Sequence, residues 1–222
     1  MNYLALVLAV AFGYIVAISF QKKGIQQMSI FLAFSGAFLL SITLFEMLPE
    51  VFQTPSKQIG LYIMGGLLLQ IVLDFFSKGA EHGHVHLNDE NKRFPWLLFI
   101  SLSIHALLEG FPVSDNQSML IGVIVHKVPI TIILTLFFFK ANYGRLTSFC
   151  FLFLFALMTP IGSLLSTEVA ILKEYETAIN AVAIGVFLHV STTILFESSK
   201  DHKFNLAKVI AIVLGVGFAY LI

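Results

Sequence analysis

Long apolar segments alternate with short polar ones along the whole chain. A helix needs about 20 mostly apolar residues to cross a bilayer. Eight segments meet that requirement, and they lie at 2–20, 28–50, 58–77, 95–113, 118–139, 146–166, 177–198 and 204–222. The pattern therefore predicts an all-α, polytopic membrane protein. We expect one transmembrane domain of eight helices, numbered here as spans one to eight.

The composition supports this interpretation. Hydrophobic residues make up 58% of the 222 positions and charged residues 12%, whereas soluble domains carry about 25% charged residues. Most of the protein surface is therefore predicted to contact its partner, the lipid bilayer. The net charge is zero, so nothing indicates nucleic acid as a partner. Cys150 is the one cysteine, which rules out a disulfide within the chain.

Lysine and arginine are distributed unevenly between the two sets of loops. If the N-terminus lies outside, the inner loops and span ends carry ten of these residues, and the outer loops carry two, Lys57 and Lys173. Cytoplasmic loops are enriched in Lys and Arg. We therefore expect a multi-pass protein of the cell (inner or plasma) membrane with both termini outside.

Four ionisable residues interrupt spans four and five: His105, Glu109, His126 and Lys127. An ionisable side chain at membrane depth costs at least about 2.5–3.5 kcal/mol, so it usually serves a function. His105 and Glu109 are one helical turn apart and share a face. Imidazole nitrogen and carboxylate oxygen both bind first-row divalent metals. The pattern predicts a metal site formed by His105, Glu109 and His126, although each histidine taken singly is also compatible with a structural hydrogen bond.

Prolines lie close to these residues. A proline removes its own N–H and disrupts the bond to the carbonyl four residues back, which is that of Leu108 for Pro112 and that of Val125 for Pro129. Pro160 in span six is a third such position. Broken helices with free carbonyls are a recurring way to build ion sites in transporters, so we expect helix breaks here.

Other polar positions are candidates for an accessory or pathway role. Glu46 and Glu50 lie near the outer end of span two, where they either attract cations to a mouth or are merely solvated. His189 in span seven is a candidate accessory ligand or proton carrier, with a structural bond to a neighbouring helix as the alternative. In span three, Gln70 is expected to bond across helices and Asp74 to extend to the inner surface.

The loop at 78–94 contains His82, His84 and His86 at alternate positions. A short His-rich tract is a compositional signal for metal binding. The charge distribution places this loop in the cytoplasm, where it would capture metal or have a regulatory role. The alternative is a solvated loop with incidental histidines.

Spans four to six together resemble the ZIP (Zrt/Irt-like) family of divalent metal transporters. HALLEG at 105–110 is similar to the family pattern H-[NS]-x-x-[DE]-G, and HKVPI at 126–130 is similar to H-[EDK]-x-P-E. PIG at 160–162 resembles the proline-glycine pair of span six. Eight spans, outer termini and the His-rich loop also resemble the family architecture.

The resemblance implies a ZIP-like fold and a divalent metal transporter, with zinc uptake into the cytoplasm as the expected activity. It implies alternating access of the elevator type, in which spans four and five move against a scaffold. Zn²⁺, or the related Fe²⁺, Mn²⁺ or Cd²⁺, is expected as transported substrate, with no cofactor. SITLFE at 41–46 and STTILFE at 191–197 are alike, which suggests an inverted repeat of spans one to three and six to eight around spans four and five.

The chain departs from the two-metal pattern of many family members. Ala106, Lys127, Ile130 and Thr159 stand at the positions that build their second metal site, and none carries a carboxylate. The resemblance thus supports a single metal position. We interpret Lys127 as a tethered cation that pairs with Glu109 in place of a second metal, with extension of Lys127 to the surface as the alternative.

The alternative function is an intramembrane zinc-dependent hydrolase, which would also bury His and acid ligands. It would need a further acid as general base, and the chain contains no H-E-x-x-H. We therefore do not expect an enzyme. The sequence does not determine the oligomeric state, for which a homodimer is a candidate.

Overall fold

The computed structural model describes residues 3–20, 28–53, 56–77, 94–114, 116–197 and 206–222, and these fold into helices joined by short connections. A short helix at Ala170–Glu174 lies between the sixth and seventh long helices. The long helices are α1 Tyr3–Phe20, α2 Met28–Val51, α3 Lys57–Ser77, α4 Trp96–Gly110, α5 Gln117–Lys140, α6 Arg145–Glu168, α7 Glu176–Glu197 and α8 Leu206–Leu221. The described ranges contain no strand.

Each long helix corresponds to one predicted span, and the all-helical class is confirmed for the described part of the chain. By length and composition, five helices are able to cross a membrane: α2, α3, α5, α6 and α7. The shorter helices α1, α4 and α8 are apolar but do not reach the same length. That all eight cross the bilayer therefore stays a prediction.

The long helices pack as two groups of four. In one group, α1 lies along α5 and α4 lies along α6, with a further contact between α1 and α6. In the other group, α3 lies along α7 and α8 lies along α2, and α2 also contacts α7. The two groups meet mainly where α2 contacts α5 and where α3 contacts α4. The candidate ligands are carried by the first group.

Glycine allows α3 and α7 to approach closely. A Cβ atom on Gly66 would collide with the Val182 carbonyl, and one on Gly185 would collide with the Ile63 carbonyl. Small residues at such positions bring backbones together, which favours van der Waals packing between membrane helices. Gly65, the neighbour of Gly66, faces open space, so only one glycine of the pair serves this contact.

The predicted break at Pro112 is a helix end instead. Helix α4 already stops at Gly110, and Pro112 lies in the turn that follows. The Leu108 carbonyl accepts a hydrogen bond from the Phe111 amide at 3.3 Å. The expectation of a freed Leu108 carbonyl was thus wrong, because a tighter terminal turn supplies the missing donor.

The predicted breaks at Pro129 and Pro160 were also wrong. Helices α5 and α6 continue through these residues, since packing against neighbouring helices maintains a helix that lacks one hydrogen bond. The irregular segment lies elsewhere, in α2, where Thr43–Met47 forms a π-helical turn. Pro49 follows that turn and cannot donate to the carbonyl four residues back.

Candidate metal centre

Helix α4 presents two candidate ligands on one buried face. The side chains of His105 and Glu109 are 3% and 1% exposed, and His105 Nε2 lies 3.1 Å from Glu109 Oε1. Leu102 and Ala106 on the same helix are fully buried, so the pair lies in the interior of the helix packing. In such an environment a carboxylate needs cationic or hydrogen-bonding partners.

Helix α5 supplies those partners. His126 Nε2 lies 3.6 Å from Glu109 Oε1, and Lys127 Nζ lies 2.8 Å from Glu109 Oε2. Both side chains are almost completely buried. The two oxygens of Glu109 therefore have different neighbours, since Oε1 faces the two imidazoles and Oε2 faces the ammonium.

The geometry of the three candidate ligands suits a small metal ion. One ligand atom from each of His105, Glu109 and His126 can be chosen so that all lie within 4.8 Å of one another. A tetrahedral zinc ion with ligand bonds of about 2.1 Å holds neighbouring ligand atoms about 3.4 Å apart. The distances of 3.1 and 3.6 Å from Glu109 Oε1 to the two imidazole nitrogens are close to that spacing.

Lys127 has a second neighbour besides Glu109. Its Nζ lies 4.6 Å from the centre of the Phe155 ring on α6, where the negative face of the ring attracts a cation. The side chain is only 1% exposed, so it does not extend to the surface. The ammonium of Lys127 is held between an anion and an aromatic face.

A chain of hydrogen bonds leads from the ligands into α3 and α7. His105 Nδ1 lies 3.0 Å from Gln70 Oε1, and Gln70 Nε2 donates to Asp74 Oδ1 at 3.4 Å. Asp74 Oδ2 lies 2.7 Å from His189 Nε2. Gln70 thus bonds across helices, as expected. Asp74 is paired with His189 rather than extended to the inner surface.

Close packing between α4 and α6 fixes the position of the ligand helix. A Cβ atom on Gly162 would collide with the Leu107 carbonyl, and one on Gly110 would collide with the Thr159 carbonyl. The Thr159 hydroxyl donates to the Ala106 carbonyl at 2.8 Å. The small residues of the span-six motif therefore serve helix contact beside the candidate ligands.

The two outer glutamates lie in different places. Glu50 is exposed and lines a cleft with Phe111 and Pro112, which directly follow the helix that carries Glu109. Glu46 is exposed beside Tyr220 of α8, in a groove between α2 and α8. Of these two residues, only Glu50 is near the end of α4. His82, His84 and His86 lie outside the described residues.

Comparison with known proteins adds a second line of evidence. The sequence model described as ZIP Zinc transporter matches residues 89–222, more than half of the chain, and this region contains all three candidate ligands. The chain belongs to the ZIP zinc transporter family. It is therefore a multi-pass membrane protein of a transporter family and not of an enzyme family, so the hydrolase alternative has no support.

Two curated relatives are similar to this ZIP family member. Protein zntD of Dictyostelium discoideum is 28% identical over 164 residues, which cover 64% of this chain and 24% of zntD. Zinc transporter ZIP1 of Takifugu rubripes is 25% identical over 152 residues, which cover 61% of this chain and 49% of that protein. The matched regions thus span between about a quarter and a half of the length of these relatives.

The sequence indicated the two ligand helices but missed several contacts of this ZIP site. It did not indicate Phe155 as a neighbour of Lys127, or Asp74 as the partner of His189. Gln70 and Asp74 are four residues apart, the same helical-turn spacing that singled out His105 and Glu109. That spacing was the available signal for a second polar pair on one face.

Proposed function

We propose that this chain transports divalent metal ions across a membrane, with zinc as the leading substrate, through a site formed by His105, Glu109 and His126. The observation that carries the proposal is the grouping of these three buried side chains, with ligand atoms within 4.8 Å of one another. Family membership gives independent support. Imidazole and carboxylate ligands also suit Fe²⁺, Mn²⁺ and Cd²⁺, which are the alternative substrates.

Uptake by proteoliposomes tests the function. Purified protein is expected to accumulate Zn²⁺ inside liposomes well above the level of protein-free liposomes, and comparison with Fe²⁺, Mn²⁺ and Cd²⁺ would rank the substrates. Liposomes that contain the His126→Ala variant serve as the control for leakage through the protein. If a folded preparation accumulates none of the four ions, the proposal is wrong.

Alternating access of the elevator type is the proposed mechanism. The helix pairs support it, because all candidate ligands lie on the pairs α1–α5 and α4–α6, whereas α2, α3, α7 and α8 form the pairs α2–α8 and α3–α7. A rigid movement of the first two pairs would carry the whole site with it. Alternating access by movement of one helix bundle against another is common among transporters.

An inverted repeat is also proposed, and the helix contacts support it. In such a repeat, α1, α2 and α3 correspond to α6, α7 and α8, and α4 corresponds to α5. The packed pair α3–α7 then corresponds to α8–α2. In the same way, the pair α1–α5 corresponds to α6–α4. These four pairs have the most extensive contacts between described helices. A pseudo-two-fold axis in the membrane plane would produce this equivalence.

Two further residues, Glu50 and His189, are proposed to line the metal pathway. Glu50 borders the cleft beyond the end of α4, where a carboxylate would attract cations. His189 and Asp74 are partly exposed and lie at the far end of the hydrogen-bonded chain from His105. With the proposed orientation, Glu50 is on the outer side of the site. Glu46 faces α8, which makes it the weaker pathway candidate.

We also propose that both termini lie outside and that the metal is taken up into the cytoplasm. In a Cys150→Ser background, a cysteine introduced at Asn88 should resist an impermeant thiol reagent added to intact cells and react after permeabilisation. Ser56→Cys is the matched control, since Ser56 is exposed between α2 and α3 on the proposed outer side. Labelling at position 88 in intact cells, without labelling at position 56, would show that the orientation is the opposite of the one proposed.

A further inference from the structure

Gln70 occupies an unusual position beside the candidate metal site. Its side chain is fully buried in the apolar helix α3. An amide that is removed from water must form hydrogen bonds to avoid a large desolvation cost. Gln70 Oε1 contacts His105 Nδ1 at 3.0 Å, and Gln70 Nε2 contacts Asp74 Oδ1 at 3.4 Å. The amide thus connects a candidate ligand on α4 with a carboxylate on its own helix.

The order of donors and acceptors determines which nitrogen of His105 carries a proton. An ionised carboxylate only accepts hydrogen bonds, so Asp74 requires the NH₂ group of Gln70. The amide oxygen of Gln70 then faces His105, and an oxygen can only accept. His105 must therefore donate from Nδ1. The other nitrogen, Nε2, lies 3.1 Å from Glu109 Oε1 and so faces the candidate metal position.

We propose that Gln70 is a positioning residue for the metal site, which holds His105 in the Nδ1–H tautomer with the Nε2 lone pair directed at the bound ion. The inference rests on the proposed function, because it assumes that His105 is a ligand. A metal-binding histidine almost always donates its other N–H to an acceptor, which fixes the ring and raises its basicity. Here the acceptor is an amide, and Asp74 sets the orientation of that amide.

Asp74 itself is held on its other side. Its Oδ2 atom lies 2.7 Å from His189 Nε2 on α7. Helices α3 and α7 also pack closely along their length, through Gly66 and Gly185. The acceptor for His105 is therefore supplied by α3, and α7 holds the Asp74 carboxylate that orients it. The orientation of the ligand depends on the contact between α3 and α4.

The test compares three substitutions in α3, all in protein whose loop histidines 82, 84 and 86 are replaced by serine. Gln70→Leu removes the acceptor. Gln70→Glu keeps an oxygen facing His105, since adjacent carboxylates share a proton. Gln58→Leu is the matched control, because Gln58 is exposed in the first turn of the same helix.

Two measurements distinguish positioning from packing. Zinc affinity is measured by competition with a chelating dye, and the tautomer of His105 is read from the ¹⁵N chemical shifts of its zinc-loaded imidazole, assigned with His105→Ala. Gln70→Leu is expected to weaken zinc binding by about 10–100-fold and to remove the Nδ1–H signature. Gln70→Glu should recover most of the affinity and the signature, and Gln58→Leu should match the wild type.

Several results would overturn the inference. One is wild-type affinity with an unchanged His105 tautomer in Gln70→Leu. Another is equal loss of affinity in Gln70→Leu and Gln70→Glu, which would indicate a packing role. If His105→Ala retains wild-type affinity, the proposed site itself is wrong. If His105→Ala abolishes binding and Gln70→Leu does not weaken it, the site stands and only the role of Gln70 is rejected.

Discussion

Alanine in place of His105, Glu109 or His126 is expected to reduce zinc uptake by more than about tenfold. Changes to residues that merely support a metal ligand already cost about 10–100-fold in affinity or activity, and loss of a ligand should cost at least as much. Uptake into proteoliposomes, normalised to the amount of folded protein, measures the effect. Ser103→Ala is the control on the same helix, because the buried Ser103 hydroxyl has no hydrogen-bond partner among the described residues.

Glu109 needs a second variant, because its removal leaves the buried Lys127 ammonium without its anion. Breaking a buried ion pair from one side typically costs about 3–5 kcal/mol, whereas replacement of both partners by residues of similar volume is often neutral. Glu109→Gln combined with Lys127→Met should therefore fold and still fail to transport. Near-normal uptake in this double variant and in both histidine variants would contradict the proposed site.

The sequence predicted those parts of the site that depend on helical spacing alone. His105 and Glu109 are four residues apart on one helix, so their contact follows from the helical repeat. The contribution of His126 and Lys127 was also predicted, since both interrupt the next apolar segment of the chain. The cost of burying charge in a membrane singled out all four residues before the fold was described.

The contacts that Gln70 and Asp74 make with other helices could not be predicted in this way. Gln70 and His105 are separated by 35 positions, and Asp74 and His189 by 115. These pairs form because α3 packs against both α4 and α7, and no local pattern specifies which polar groups then face each other. The hydropathy pattern predicts which helix carries a polar residue, but it does not predict which other residues that polar group contacts.

The proline predictions failed for a related reason. The local rule that proline ends a helix ignores the packing that keeps α5 and α6 helical at Pro129 and Pro160. The irregularity appears as a π-helical turn at Thr43–Met47 instead. An additional residue in one turn rotates the helix that follows it. The faces of Glu46 and Glu50 could therefore not be assigned from a regular helical repeat.

Replacement of both Lys127 and Thr159 by acids is expected to change the number of bound ions from about one to two. In the structure, Glu109 Oε1 faces the imidazoles while Oε2 is 2.8 Å from the Lys127 ammonium. A carboxylate placed in this way can bridge two cations, as carboxylates do where two metals lie about 3.5–4 Å apart. We propose that the tethered ammonium occupies the second cation position and limits the site to one metal.

The variant for this test combines Lys127→Asp with Thr159→Glu. Thr159 lies one helical turn from Phe155, which contacts the ammonium, so an acid there would face the space that Lys127 leaves. Thr159 is fully buried, and a larger side chain in a packed interior costs about 1–3 kcal/mol. Thr159→Asp is therefore a smaller second choice. Lys127→Met is the control, because it removes the cation without adding a ligand.

Equilibrium dialysis with elemental analysis gives the stoichiometry, in protein whose loop histidines 82, 84 and 86 are replaced by serine. The double variant should bind about two zinc ions, while Lys127→Met and the wild type should bind no more than about one. Removal of the ammonium opens the position beside Glu109 Oε2, but only added carboxylates both balance the charge of a second ion and coordinate it. Two ions bound by the wild-type membrane core would show that Lys127 does not exclude the second metal.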